Sequence, residues 1–217
     1  MKRRFHQLDV FSAQPLKGNP LAVVHGAVGL SDTTMANFAR WTNLSETTFL
    51  LPPADPAADY RLRIFTPRQE LPFAGHPSIG SAFAARWSGI VDPARERMVQ
   101  ECAAGLLPLR VEKRAGVERV FVRAPQAALK PLQPRYASLV SAALGLRADT
   151  PVLHVDVGAR WLVAPAQTAR SVLAVKPDYP TLARLSKRLG AVGATIYGWQ
   201  RPGTGDALEV RSFVPAD

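Results

Sequence analysis

The segment Arg63-Ile64-Phe65-Thr66-Pro67 recurs late in the chain as Arg211-Ser212-Phe213-Val214-Pro215. Each copy closes an alternating stretch that begins after an aspartate, Asp59 or Asp206. In the first copy Tyr60, Leu62 and Ile64 face one way and Arg61, Arg63 and Phe65 the other, as period-two side chains on a strand must. The same order of helix, strand, polar loop and strand leads into both copies. With 217 residues to distribute, this repeat predicts two lobes of similar construction, an α/β (α+β) architecture.

Composition narrows the class. Hydrophobic residues at 47% against 20% charged argue for packed cores and against disorder. No apolar run approaches the ~18 residues of a membrane span, and the basic start is followed by a polar, strand-like segment. The expectation is therefore a cytoplasmic chain with no membrane partner. A single cysteine, Cys102, excludes an internal disulfide framework and any mechanism that needs two cysteines from one chain. Lys plus Arg at 27 against Asp plus Glu at 17 gives a net charge of +10. Apart from Lys2-Arg3-Arg4 the basic residues are scattered, often beside an acid, as in Arg95-Glu96-Arg97. That pattern favours a basic solvated surface, with no nucleic acid expected as a partner.

The first lobe is assigned to residues 1–123. Its predicted strands are 4–11, with Leu8 and Val10 on one face, 21–24, 48–51 and 59–65. Ser31 caps a helix whose stripe is Met35, Phe38 and Ala39. A loop over 68–75 leads to a helix from about Pro77, with Ile79, Phe83 and Trp87 on one face. A hairpin of 107–111 and 117–122 turns at Ala115-Gly116. Residues 124–134, proline-rich and without periodicity, are expected as a linker. The second lobe, 135–217, is assigned a helix over 135–146 with Leu139, Val140, Ala143 and Leu144 buried. A hairpin of 152–157 and 160–163 follows, then a helix capped by Asp178 or Tyr179, lined by Leu182, Leu185 and Leu189 and stopped by Gly190. Strands 194–199 and 207–213 close the chain.

Two segments could carry chemistry. In Asn43-Leu44-Ser45-Glu46-Thr47, Glu46 is placed in a loop between helix and strand. Partial burial would raise its pKa and suit it to proton transfer; a solvated loop carboxylate or a cap acceptor is the plainer alternative. In the run from Pro72 to Ser81, Gly75 permits a tight turn and His76 stands just ahead of a helix N-terminus, whose unpaired N–H groups favour an anion such as a carboxylate. A well-packed helix start explains it equally. Cys102 is expected as a small buried residue, and His6, His25 and His154 as isolated structural histidines. No His-x-x-x-His or Cys-x-x-Cys spacing points to a metal, and no glycine-rich phosphate loop to a nucleotide cofactor.

Together these segments resemble the phenazine-biosynthesis PhzF-like isomerase family. The resemblance rests on Asp9-Val10-Phe11, Gly18 to Val24, Asn43 to Thr47 and Arg63 to Pro67, and above all on Glu70-Leu71-Pro72-Phe73-Ala74-Gly75-His76-Pro77. It extends more loosely through Trp161-Leu162-Val163 and Arg211 to Pro215. It implies the diaminopimelate epimerase-like fold: two pseudo-symmetric lobes, each a mixed or antiparallel sheet wrapped around a central helix. It implies cofactor-independent isomerisation or epimerisation of a small carboxylic acid, with Glu46 as general acid/base and His76 as its partner. It implies contacts to substrate from Asn19, Ser45, Gly75, Pro77 and Ser78, no metal, and a homodimer. The cysteine pair of the epimerases has no counterpart here. The resemblance also implies a Glu-Asp-Pro-x-Thr-Gly-Ser segment shortly after Pro215, which this sequence lacks. The second lobe is accordingly expected to be incomplete and the activity of this chain alone weak. A non-catalytic relative that binds a small anion is the alternative.

Overall fold

A computed structural model describes residues 2–200 and 208–215. The chain divides into two compact units, 1–125 and 126–217.

The first unit opens with β1 (Phe5–Val10), β2 (Asn19–Val24), α1 (Asp32–Thr42), β3 (Glu46–Leu51) and β4 (Tyr60–Phe65). It continues with β5 (Glu70–Leu71), α2 (Gly75–Trp87), β6 (Arg97–Cys102), β7 (Gly105–Arg114) and β8 (Val117–Val122). The strands form one sheet in the order β1-β2-β3-β4-β6-β7-β8, with β5 added against β4. The parallel pairs are β2 with β3, joined through α1, and β4 with β6, joined through α2. Ser31 caps α1 by accepting a hydrogen bond from the Thr34 N–H at 3.2 Å, and Asn43 ends it in the left-handed region at φ 53°. Met35 and Ala39 pack on Val24, Phe49 and Phe65.

Helix α2 packs against β1 to β4 and also against β8, so the sheet curls round it. A helix so enclosed must be slim. Gly80, Ser81, Ala82, Ala84 and Ala85 are buried, and a Cβ on Gly80 would stand 2.6 Å from Leu21 Cδ2 and 2.8 Å from Val10 Cγ2. The expected apolar face of Phe83 and Trp87 is instead the outward one, 46% and 64% exposed, because only small residues fit the inside. The helix also starts earlier than expected, at Gly75. Two short pieces missed by periodicity, β5 and β6, complete the sheet.

The second unit contains β9 (Ala128–Pro131), α3 (Pro134–Ala143), β10 (Leu153–Asp156), β11 (Arg160–Pro165), α4 (Ala169–Ala174), α5 (Tyr179–Leu189), β12 (Gly193–Trp199) and β13 (Leu208–Phe213). Its sheet order is β13-β12-β11-β10-β9. Residues 128–131, expected in a linker, are therefore its edge strand, and Leu139 is half exposed rather than buried. Val140, Leu144, Leu162, Leu182, Ile196 and Phe213 form its core. Antiparallel β10-β11, parallel β11-β12 through α5, and antiparallel β12-β13 reproduce the β1-β2-α1-β3-β4 pattern. Phe65 and Phe213 are both buried, so the sequence repeat marks a repeat of topology. Among the described residues, the second unit has no helix in the place of α2. Asp206, Ala207, Ala216 and Asp217 lie outside the described residues. No described helix is long and apolar enough to cross a membrane.

Candidate active site

Strand pairing assembles the site. The parallel register sets Leu21 beside Glu46, which brings the start of β2 to the start of β3. Glu46 is thus the first residue of β3 rather than a loop residue, and its side chain is only 16% exposed. His76, in the first turn of α2, places Nε2 3.2 Å from Oε2 of Glu46. The pair lacks hydrogen-bond alignment, and neither atom has another partner among the described residues. Two buried polar atoms left open toward one another are the arrangement expected where a ligand completes the bonding.

Asn19 and Ser45 hold the histidine. The Asn19 amide nitrogen stands 3.1 Å from His76 Nδ1, and the Ser45 hydroxyl donates to Asn19 Oδ1 at 3.3 Å. With its oxygen accepting from Ser45, the amide turns its N–H₂ to Nδ1, an assignment under which the ring proton sits on Nε2, the atom facing Glu46. Burial raises the Glu46 pKa, an effect the Ser45 hydroxyl opposes. Burial also lowers His76 to about 4, with the Pro20 carbonyl acting in the opposite direction. At neutral pH the ring is uncharged, so the two side chains form a carboxyl–imidazole contact and not an ion pair.

The remaining expected positions separate. Ala74 caps α2 without a side-chain hydrogen bond, so the N–H groups of its first turn keep their capacity for an anion. Gly75 stands at that turn with nothing within 4 Å of a Cβ position. Pro77, buried in the same turn, has no N–H to offer. The Ser78 side chain is not brought to the pair. It is fully buried and accepts from Gln100 Nε2 at 3.1 Å, and Gln100 Oε1 in turn accepts from the Tyr60 hydroxyl at 3.2 Å. Cys102 is buried with its thiol pKa raised, chiefly by desolvation. His6 and His25 are not isolated: Nδ1 of the first meets Nε2 of the second at 2.8 Å, with Trp87 packed on the His6 ring.

Sequence reasoning missed Phe11, whose ring centroid lies 6.3 Å from that of His76. Its backbone is left-handed at φ 71°, a conformation a bulky residue seldom adopts, and its side chain is 70% exposed. No periodicity signals such a residue.

Both sheets and their connections give the chain a mixed α/β architecture of the diaminopimelate epimerase-like kind. Residues 8–216 match the model of the phenazine biosynthesis-like protein family (PhzC-PhzF), and the chain belongs to that family. It is 40% identical to antisense-enhancing sequence 1 of Schizosaccharomyces pombe over 217 residues, covering 97% of this chain and 72% of that protein. It is 36% identical over 182 residues to trans-2,3-dihydro-3-hydroxyanthranilate isomerase of Pseudomonas aeruginosa, covering 82% of this chain and 63% of that enzyme. The crystal structure of a Bacillus anthracis PhzF-family protein superposes with a TM-score of 0.79 at 23% identity, over 98% of this chain and 72% of that one. Racemase and epimerase structures share the fold as well, which is the diaminopimelate epimerase-like one.

Proposed function

We propose that the chain isomerises a small carboxylic acid by moving one proton between two carbons, with Glu46 as the carrier. The ionised carboxylate takes the proton from a carbon made acidic by an adjacent unsaturated or carboxyl group. The resulting carboxylic acid then returns it at a second carbon, so nothing is gained or lost overall and no cofactor is invoked. Burial raises the Glu46 pKa, which favours its acid form and suits one carboxyl to act first as base and then as acid. Neutral His76 directs its Nε2–H toward the carboxylate or toward a substrate oxygen. The open N–H groups of α2 take the substrate carboxylate.

The observation that carries this reading is the buried Glu46–His76 contact at 3.2 Å with both atoms otherwise unsatisfied. The test uses trans-2,3-dihydro-3-hydroxyanthranilate, the compound named for the Pseudomonas aeruginosa relative, in deuterated water. The native chain should incorporate solvent deuterium into the substrate, and Glu46→Gln should not. Exchange that persists in Glu46→Gln would remove Glu46 from the mechanism. Saturable binding without exchange in either protein would favour the small-anion-binding alternative, which rests on the same uncapped helix start.

A further inference from the structure

Arginines that are scattered in the sequence meet on one face of β6, β7 and β8. Side chains alternate across a sheet, so register fixes which of them share a face. Arg97 stands opposite Arg110, and Arg110 opposite Phe121, forming one row. In the next row Val99 faces Pro108, with Arg123 beside them, its N–H donating to the Pro108 carbonyl at 2.9 Å. One step the other way along β8, Arg119 stands opposite Glu112. The first two rows line an open hollow of ≈ 580 Å³, edged by Arg95, Arg97, Arg110 and Arg123 over Val99, Pro108 and Phe121, with Arg119 and Glu112 beyond its rim. The Arg110 guanidinium lies 4.3 Å above the Phe121 ring.

The charge is only partly compensated. Arg110 pairs with Glu112 and Arg95 with Asp59. Arg97, Arg119 and Arg123 are exposed and have no carboxylate partner among the described residues. Like charges gathered on one partly apolar face repel each other, and the single Glu112 carboxylate among them leaves an excess of positive charge that favours a further anion. From Arg119 to Arg123 the strip runs about 13 Å along β8, at the usual rise per strand residue. That length suits a run of phosphates better than a single one.

We propose that this face binds single-stranded nucleic acid, with phosphates against Arg97, Arg119 and Arg123 and a base against the Arg110–Phe121 stack. A cationic track interleaved with an aromatic platform is the general solution for single strands. The face contains neither Glu46 nor His76, so the proposal stands apart from the isomerase reading.

The test is fluorescence anisotropy of the intact chain with a labelled short oligouridylate across a range of salt. Binding should weaken linearly in log–log form, with a slope of about −0.7 for each phosphate engaged, or about −2 for three. The double substitution Arg97→Ser with Arg123→Ser should weaken binding and reduce the slope by about 1.4. Phe121→Leu should weaken it about tenfold while leaving the slope unchanged. The exposed serine variants keep the sheet core, so they decide the matter even if Phe121→Leu folds poorly. Binding that ignores salt, binding undiminished in the double variant, or uridine monophosphate bound as tightly as the oligonucleotide would each overturn the proposal.

Discussion

The Asn19 amide nitrogen stands 3.1 Å from His76 Nδ1 while Nε2 of the same ring faces Glu46 at 3.2 Å, so the two contacts engage both ring nitrogens. Asn19→Asp replaces a donor with an acceptor there. The ring proton should then move to Nδ1, leaving a bare Nε2 against the carboxyl oxygen, and the new carboxylate should raise the His76 pKa. Nitrogen NMR of the imidazole should report Nδ1 as the unprotonated atom in the native chain and as the protonated one in the variant. Deuterium exchange should fall about 10²-fold, the lower end of what positioned proton transfer contributes. A native spectrum with the proton on Nδ1 would dismiss this role for Asn19.

The two site residues give opposite pH dependences of stability. His76 is lowered on folding from 6.5 to about 4. Its contribution is therefore fully present above about pH 6.5 and is lost as pH falls through about 4, roughly 3 kcal/mol in all. Glu46 is raised, so its contribution is present below its ordinary value of 4.5 and is lost as pH rises through the shifted one. Urea midpoints against pH separate them. Glu46→Gln should match the native chain near pH 4 and exceed it at pH 8. His76→Gln should lose less than the native chain on acidification from pH 7 to 4. A constant offset for Glu46→Gln across that range would contradict the buried carboxyl.

Gly18 precedes Asn19, and a Cβ there would collide with the Val10 carbonyl and stand 2.6 Å from Asp9 Oδ1. The obstacle includes backbone, which cannot rotate away. Gly18→Ala should therefore push β1 and β2 apart at the Val10–Asn19 pair and cost about 1–3 kcal/mol. Because Asn19 moves with it, deuterium exchange should fall by more than the unfolded fraction accounts for. A thermal midpoint unchanged from native would show that the turn relaxes freely.

What the sequence revealed of this molecule follows from how local each feature is. Phe65 and Phe213 disclosed the doubled topology because each ends a strand that must bury one face. Amphipathic spacing points Phe83 and Trp87 inward because it assumes sheet on one side and water on the other, whereas this helix is enclosed and hides its small residues. The edge strand β9 carries Ala-Leu-Lys-Pro and needs only backbone pairing, so no alternation announced it. Asn19, Ser45, Glu46 and His76 meet through parallel register and helix placement, which local patterns do not encode; the family resemblance alone joined them. Ser78 follows His76 by two residues, about 200° round a helix, so its side chain turns into the interior as His76 faces the site.

The repeated arginines show how equivalent positions diverge. Arg63 donates to Glu70 at 2.7 Å and to Asp32 at 2.6 Å, both through side chains near the surface. Arg211 instead donates from Nη1 to the carbonyls of Val172, Leu173 and Val175 at 3.0, 3.2 and 3.1 Å, closing the end of α4. Arg211→Met keeps the aliphatic stem but leaves those carbonyls without their cation, at a cost of about 1.5–3 kcal/mol. Arg63→Met releases carboxylates that water can solvate and should cost about 1 kcal/mol or less. Hydrogen exchange on the intact chain separates the two effects. Arg211→Met should speed exchange across α4, β12 and β13 while leaving β1 to β4 as protected as before. A larger stability loss from Arg63→Met than from Arg211→Met would reverse this account of the repeat.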